Sequence, residues 1–195
     1  MKPKGFPDAS CLGTAKIPIY ALVQKVKVTA RLSVVRFERL PSLNPKAVSM
    51  VQSAAVLLVD DSIGDVELAR EVWRESAVPT QLYVTSNGEE AIRFLRRQGP
   101  YAHMPVPQLV LLDLNLPFRS GLDVLREIKQ DHTLRPIPVV VFSTSSTPLD
   151  IARAYDNFAN GYVVKPMELS AYIEVLTKVQ SFWLGANIAP EQKVI

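Results

Sequence analysis

The sequence predicts an α/β protein: a five-stranded, parallel, doubly wound sheet with helices on both faces. Two observations support this prediction. Five short β-rich segments alternate with longer segments of helical periodicity, and three of the five are almost wholly apolar. Strands that are apolar on both sides are typical of sheets covered by helices on both faces, and parallel strands require such crossover connections.

Each predicted strand is a short apolar or β-branched segment followed by polar or turn-forming residues. The apolar runs AVLLV, LVLL and VVVF form most of the first, third and fourth strands. In chain order, the predicted strands are Ala55–Val59, Gln81–Val84, Leu109–Leu112, Val139–Phe142 and Gly161–Val164.

Between and after the strands, apolar residues recur every three to four positions, which is the period of a helix with one buried face. The second helix follows the turn signal Asn87-Gly88. The predicted helices are Gly64–Glu75, Glu89–Arg97, Leu122–Gln130, Pro148–Asn157 and Glu168–Trp183.

Charge is distributed unevenly along the 195 residues. Residues 1–49 carry nine Lys/Arg and two Asp/Glu, whereas residues 50–195 carry 13 and 17. The net charge of +3 therefore originates in the N-terminal segment and is no evidence that the whole chain binds nucleic acid. We expect a basic extension over residues 1–49, the α/β domain over 54–184 and a short tail over 185–195.

Residues 1–49 have three interpretations. Polar and apolar residues alternate from Lys25 to Val34, which is the period of a half-buried strand and favours an edge strand or a partner-binding arm. Met50 precedes the first convincing strand, so the segment is alternatively an extension without function, or one read from a start upstream of the true one. The third interpretation is a basic tether.

Several classes of protein are excluded by composition. Cys11 is the only cysteine, so neither an internal disulfide nor a cysteine-based zinc site can form. The longest apolar runs are far shorter than the roughly 18 residues of a membrane span, and no apolar core with a small-residue cleavage site marks a secretory signal. We expect a cytoplasmic protein that does not insert into a membrane.

Polar residues cluster where the predicted strands end. Asp60 and Asp61 follow the first strand, Asp113 the third, Ser143–Ser146 the fourth and Lys165 the fifth. Taken singly, they are typical of a helix cap, an Asx turn, a polar loop and a strand end. Ligands of open α/β sheets bind at the carboxyl ends of the strands, so their joint occurrence at this edge favours a functional site.

The three aspartates converge if the first and third strands are neighbours. Two carboxylates about 4 Å apart repel by about 4 kcal/mol at an effective dielectric near 20. Either one of them retains a proton, or a divalent cation lies between them. Oxygen ligands without His or Cys favour a hard ion, and Mg²⁺ is the best candidate.

This set of groups is suited to a phosphoryl group. The cation and Lys165 neutralise phosphoryl oxygens, Ser143 or Thr144 presents a hydroxyl, and Asp113 can attack phosphorus to give an acyl phosphate. Phosphoryl transfer depends mainly on positioning and charge neutralisation, which these residues supply.

Four motifs within residues 54–184 resemble those of response-regulator receiver domains. They occur in order and at family spacing: VLLVDDS, LVLLDLNLP, VVVFST and GYVVKP. The resemblance implies a flavodoxin-like sheet of strand order 2-1-3-4-5. It also implies a role in two-component phosphorelay signal transduction, in which a sensor histidine kinase donates a phosphoryl group to an aspartate of this phosphoprotein.

The resemblance implies roles for the residues at the strand ends. Asp113 is the phosphoacceptor, Lys165 pairs with the phosphoryl group and Ser143 bonds one of its oxygens. Tyr162 is the switch aromatic, which turns inward when Ser143 moves. A cis peptide bond before Pro166 is also implied.

The resemblance further implies a Mg²⁺ site beside the phosphoacceptor. Its ligands are Asp61, Asp113 and the backbone carbonyl of Asn115, and Asp60 helps to hold the ion through water.

Three segments resemble the single-domain regulators that partner cyanobacterial and bacterial phytochrome histidine kinases. They are the stretch Phe94–Gly99, the proline-containing link of residues 98–107 and the sequence from Ser181 to Leu184, whose apolar residues also fit simple core packing. We expect no DNA-binding or catalytic output domain after Trp183. We therefore expect output through protein contacts, with a homodimer formed by the fourth helix, fifth strand and fifth helix.

Two other functions are compatible with parts of the sequence. Phosphatases that form an aspartyl phosphate usually carry a second Asp two residues after the nucleophile, as a general acid. In this sequence that position is Asn115, which cannot transfer a proton in this way. We expect slow self-dephosphorylation rather than enzymatic turnover. Nucleic-acid binding would depend on residues 1–49 and weaken steeply with salt; we expect no nucleic-acid partner.

Overall fold

The computed structural model describes residues 53–76 and 78–188, so the predicted extension over residues 1–49 and most of the tail lie outside the described residues. The strands are β1 (Ala54–Val59), β2 (Thr80–Thr85), β3 (Leu109–Leu112), β4 (Val139–Ser143) and β5 (Gly161–Val164). The α-helices are α1 (Ile63–Arg74), α2 (Gly88–Leu95), α3 (Gly121–Gln130), α4 (Pro148–Asp156) and α5 (Leu169–Gln180).

The five strands form one parallel sheet in the order β2-β1-β3-β4-β5. This confirms the predicted fold class and strand order. The strand boundaries differ from the predicted ones by at most one residue. The order reverses between β1 and β3, so the ends of these two strands lie side by side, as a ligand site at the sheet edge requires.

Two apolar cores lie on opposite faces of the sheet, because successive residues of a strand point to opposite sides. Leu57 and Val59 of β1 pack with apolar residues of α2 and α3. Val56 and Leu58 pack with apolar residues of α1 and α5 on the other face. The strands therefore lie between two layers of helices, and polar residues occupy the carboxyl ends of the strands.

Each α-helix begins at a residue whose side chain accepts a hydrogen bond from the backbone of its first turn: Ser62, Asn87, Ser120, Thr147 and Glu168. The last predicted helix is partly wrong. Its α-helical part ends at Gln180, and Ser181–Ala186 form a π-helical turn. None of the helices in the described ranges combines the length and apolar content needed to cross a membrane.

Candidate functional site

The carboxyl edge of the sheet holds four buried polar side chains, one at the end of each of the four adjacent strands β1, β3, β4 and β5. Asp60, Asp113, Ser143 and Lys165 are all less than a tenth exposed. Backbone hydrogen bonds continue past the strands: Asp113 donates to Val59, and Lys165 donates to Ser143. The strand pairing therefore fixes the backbone positions from which these side chains extend.

Lys165 binds three carboxylates at once. Its Nζ lies 2.6 Å from Asp113 Oδ2, 2.7 Å from Asp60 Oδ2 and 2.9 Å from Asp65 Oδ2. An ammonium group has three donors, so all of them are used. Its Nζ also lies 5.6 Å from the centre of the Phe142 ring, which is a cation–π contact.

The two buried aspartates beside Lys165 have equivalent backbone partners. Asp113 Oδ1 accepts from the backbone amide of Asn115 at 3.0 Å, and Asp60 Oδ1 accepts from that of Ser62 at 3.0 Å.

The pKa values of the two carboxyls are nevertheless shifted in opposite directions. Burial raises the pKa of Asp113, but hydrogen bonds from Lys165, Asn115 and Ser143 outweigh burial and hold it below its usual value. Burial dominates at Asp60, where the pKa is raised despite the bond from Lys165. Asp113 is thus the better-stabilised anion, and an ionised carboxylate is what a nucleophile requires.

The pKa of Lys165 is raised. Burial lowers it, but the hydrogen bonds to Asp113, Asp60 and Asp65 outweigh burial. Lys165 therefore remains an ammonium ion throughout the physiological range.

The predicted metal ligands meet the chemical requirement of a hard cation, since they offer carboxylate and carbonyl oxygens only. Asp61 is exposed beside buried Asp60, and Asn115 is exposed two residues after Asp113. Among the described residues, no three acidic, His or Cys side chains form a ready metal-binding cluster. The Lys165 ammonium binds Asp60 and Asp113, so a cation entering here must compete with it.

Asp65 was missed by the reading of the sequence. It lies in the first turn of α1, and its backbone amide donates to the Ser62 hydroxyl, which caps the helix. The sequence gives no signal for this contact, because the contact depends on the angle at which α1 leaves its Ser62 cap.

Gly121, the first residue of α3, brings the helix against the backbone of Asp113. Its amide donates to the Leu114 carbonyl at 3.0 Å. A Cβ at this position would overlap the Asp113 carbonyl and lie 2.7 Å from the Leu114 Cα. Only glycine allows this approach, so α3 directly supports the position of Asp113.

The two predicted switch residues are connected through Ser145. Tyr162 Oη donates to the Ser145 carbonyl at 2.9 Å, and the Ser145 amide lies 3.5 Å from Ser143 Oγ. The Ser145 hydroxyl donates to Asp150 Oδ2 at 2.5 Å. The loop between β4 and α4 therefore joins the buried hydroxyl of Ser143 to the half-buried ring of Tyr162.

The expectation of a cis bond between Lys165 and Pro166 is wrong, since the described residues contain no cis peptide bond. Nothing in the structure explains this difference.

Comparison with known proteins agrees with the fold. The family described as "Response regulator receiver domain" matches residues 56–177. The response regulator Rcp1 of Synechocystis is 41% identical over 135 residues, which are 69% of this chain and 92% of that protein.

Two solved structures share the fold. The phosphorylated cyanobacterial phytochrome response regulator RcpA has a TM-score of 0.69 at 40% identity, covering 71% of this chain and 99% of the other. The Mn²⁺-bound form of Rcp1 has a TM-score of 0.68 at 39% identity, covering 70% and 99%. The chain therefore belongs to the response-regulator receiver domain family and is a response regulator of two-component signalling.

Proposed function

We propose that the protein accepts a phosphoryl group from a sensor histidine kinase on Asp113. The observation that supports this most strongly is the contact of Asp113 with Lys165 at 2.6 Å, in a site where Asp113 is held as an anion. In the transfer, a carboxylate oxygen of Asp113 forms a bond to phosphorus while the phosphorus–nitrogen bond of a phosphohistidine breaks. The departing imidazole nitrogen keeps the electron pair and takes up a proton.

A divalent ion, Mg²⁺ in the cell, would be held by Asp60, Asp61, Asp113 and the backbone carbonyl of Asn115. It would neutralise the oxygens of the phosphoryl group. That a relative is described as an Mn²⁺-bound form supports a divalent ion here. Lys165 supplies the second positive charge from β5.

Ser143 and Tyr162 form the switch in this proposal. The Ser143 hydroxyl, which now hydrogen-bonds Asp113, would turn to a phosphoryl oxygen. The loop through Ser145 would follow, and the Tyr162 hydroxyl would leave the Ser145 carbonyl as the ring turns inward. Phosphorylation thereby shifts the population toward a conformer with a different α4–β5–α5 surface.

The kinase partner is of the phytochrome type. This part of the proposal is supported by a similar protein that is described as a phytochrome response regulator. Exposed apolar side chains at the carboxyl edge of the sheet support contact with another protein. Ile63 follows β1, Phe118 follows β3 and Met167 follows β5, and each is at least four-fifths exposed. Exposed apolar groups of this size are typical of contact surfaces.

The output of the switch is a homodimer through α4, β5 and α5. β5 is an edge strand, and Tyr155, Val164 and Phe182 keep apolar surface exposed on or next to these elements. The protein acts in the cytoplasm, without nucleic acid or membrane as partner. It is a signalling module, in which water slowly hydrolyses the acyl phosphate because Asn115 offers no general acid.

The test is phosphorylation of the full chain with acetyl phosphate and Mg²⁺, followed by intact mass. Wild type should gain the mass of one phosphoryl group, and Asp113→Asn should gain none. Asp123→Asn, which removes a half-exposed carboxylate of α3, is the matched control and should behave as wild type. Acid-stable phosphoryl uptake by Asp113→Asn would refute the assignment. Sedimentation with and without the donor tests the dimer.

A further inference from the structure

Tyr172 carries a buried hydroxyl without a partner. The residue is 5% exposed, and its Oη is one of two buried side-chain polar atoms in the described residues that have no hydrogen-bond partner. A buried polar group without a partner destabilises the folded protein, because its lost hydrogen bonds to water are not replaced. An unsatisfied group in a native protein therefore calls for an explanation.

The hydroxyl lies close to the acidic site. Burial and then the negative charge of Asp65 raise the pKa of Tyr172, and the charges of Lys165, Asp60 and Asp113 also reach it. Tyr172 and Asp65 line the same cavity of about 250 Å³, together with Lys165. An edge-on contact with the Phe142 ring, at 5.4 Å between centroids, holds the Tyr172 ring in place.

The resting contacts of Lys165 cannot all persist once a phosphoryl group arrives. All three donors of its ammonium already bind carboxylates, so pairing with a phosphoryl oxygen requires the loss of at least one of them. Asp65 is the best candidate to be released. Its side chain is 28% exposed, whereas those of Asp60 and Asp113 are 1% and 7% exposed, so water can solvate it at the lowest cost.

We infer that Tyr172 is a positioning residue of the switch, whose hydroxyl donates to the Asp65 carboxylate when Lys165 turns to the phosphoryl group. The inference rests on the proposed function. The hydroxyl is unsatisfied at rest and satisfied after phosphorylation, so it favours the phosphorylated conformer by differential contact alone. Tyr172 touches neither the phosphoryl group nor the metal in this scheme; it acts through Asp65 and Lys165.

Beryllofluoride with Mg²⁺, a stable mimic of a phosphoryl group on a carboxylate, provides the test. Tyr172→Phe keeps the ring and removes only the hydroxyl. We expect this variant to bind beryllofluoride about tenfold more weakly than wild type, as the loss of a hydrogen bond to a charged group predicts. Without beryllofluoride its melting temperature should equal or exceed that of wild type, since an unsatisfied group is gone. A merely structural role would instead lower the melting temperature and leave the affinity unchanged.

A double-mutant cycle identifies the acceptor. In an Asp65→Asn background, Tyr172→Phe should reduce beryllofluoride affinity by a smaller factor, because the amide oxygen accepts only a weaker, neutral hydrogen bond. Tyr101→Phe, which changes a tyrosine packed in the core on the other face, is the matched control and should bind as wild type.

Three results would overturn the inference: unchanged affinity in Tyr172→Phe, a lower melting temperature of that variant without ligand, or an undiminished effect in the Asp65→Asn background. Failure of the wild type itself to bind beryllofluoride, or to take up phosphoryl from acetyl phosphate, would instead refute the proposed function. The wild-type measurement thus separates the two failures.

Discussion

Gly121 of α3 packs so closely against Asp113 that a single added carbon would overlap the Asp113 carbonyl oxygen. The position of the proposed phosphoacceptor therefore depends on a residue eight positions later in the chain, at the start of a different element. This contact gives the first prediction.

Gly121→Ala should displace the Asp113 backbone and lower the free energy of unfolding by about 2 kcal/mol, as overpacking does. Phosphoryl uptake from acetyl phosphate should slow by at least about tenfold, because small displacements of reacting groups are costly. Urea unfolding and mass spectrometry measure the two effects. Gly185→Ala is the control, since a Cβ there has no neighbour within 4 Å; equal behaviour of the two variants would contradict the prediction.

Lys165→Met should destabilise the protein by about 3 kcal/mol, because it leaves buried carboxylates without their counter-ion. Millimolar MgCl₂ should restore part of the loss if the acids bind the ion, and the measurement is urea unfolding with and without magnesium. Lys178→Met removes an exposed ion pair with Glu174 and should change stability by about 0.3 kcal/mol. A Lys165→Met variant as stable as this control would show that the buried pairs are dispensable.

Lys129 should make stability depend on alkaline pH. Its Nζ donates to the carbonyls of Arg135 and Ile137 and to the Asn160 side chain, and burial lowers its pKa to about 8 from 10.5. Between these values the unfolded chain binds more protons than the folded protein, so the unfolding free energy rises with pH. Above about pH 10.5 the gain is complete, and below about pH 8 it is absent.

Comparison with Lys129→Met isolates this contribution. The difference in unfolding free energy, wild type minus variant, should increase by about 1–2 kcal/mol from pH 8 to 10.5, after allowance for the partial exposure of the side chain. Urea unfolding at a series of pH values measures it. A flat difference over this window would contradict the lowered pKa of Lys129.

Ser145→Ala should raise the pKa of Asp150 toward its ordinary value. The Ser145 hydroxyl is the first cause of the lowered pKa of Asp150, followed by Thr147. NMR titration of the carboxyl carbon reports the change. Ser146→Ala, at the exposed next position, should leave the titration unchanged; an equal shift in both variants would show that Ser145 is not the specific partner.

The sheet could be predicted closely because its strands are short apolar runs bounded by polar residues, and pattern alone delimits such segments. The end of the last helix could not. Trp183 and Leu184 continue the apolar spacing of α5, but the backbone changes to wider π-helical turns after Gln180, and side-chain spacing barely distinguishes the two.

At the site, the grouping of Asp60, Asp113, Ser143 and Lys165 at one edge was predictable from strand ends, since parallel strands share that edge. The contacts among them were not. Spacing does not reveal that Asp65 also binds Lys165, because that depends on the angle at which α1 leaves its cap. Nor does it reveal the unsatisfied hydroxyl of Tyr172, whose place in the sequence is an ordinary apolar position of α5.

The lysine after β5 lies among carboxylates that follow β1 and β3 or belong to α1. The chain itself therefore supplies the positive charge that offsets the repulsion among these carboxylates. Newly synthesised protein can thus complete its tertiary structure before any inorganic ion arrives. Under the proposed function, folding therefore does not require magnesium, and scarcity of the ion would reduce phosphorylation without unfolding the protein.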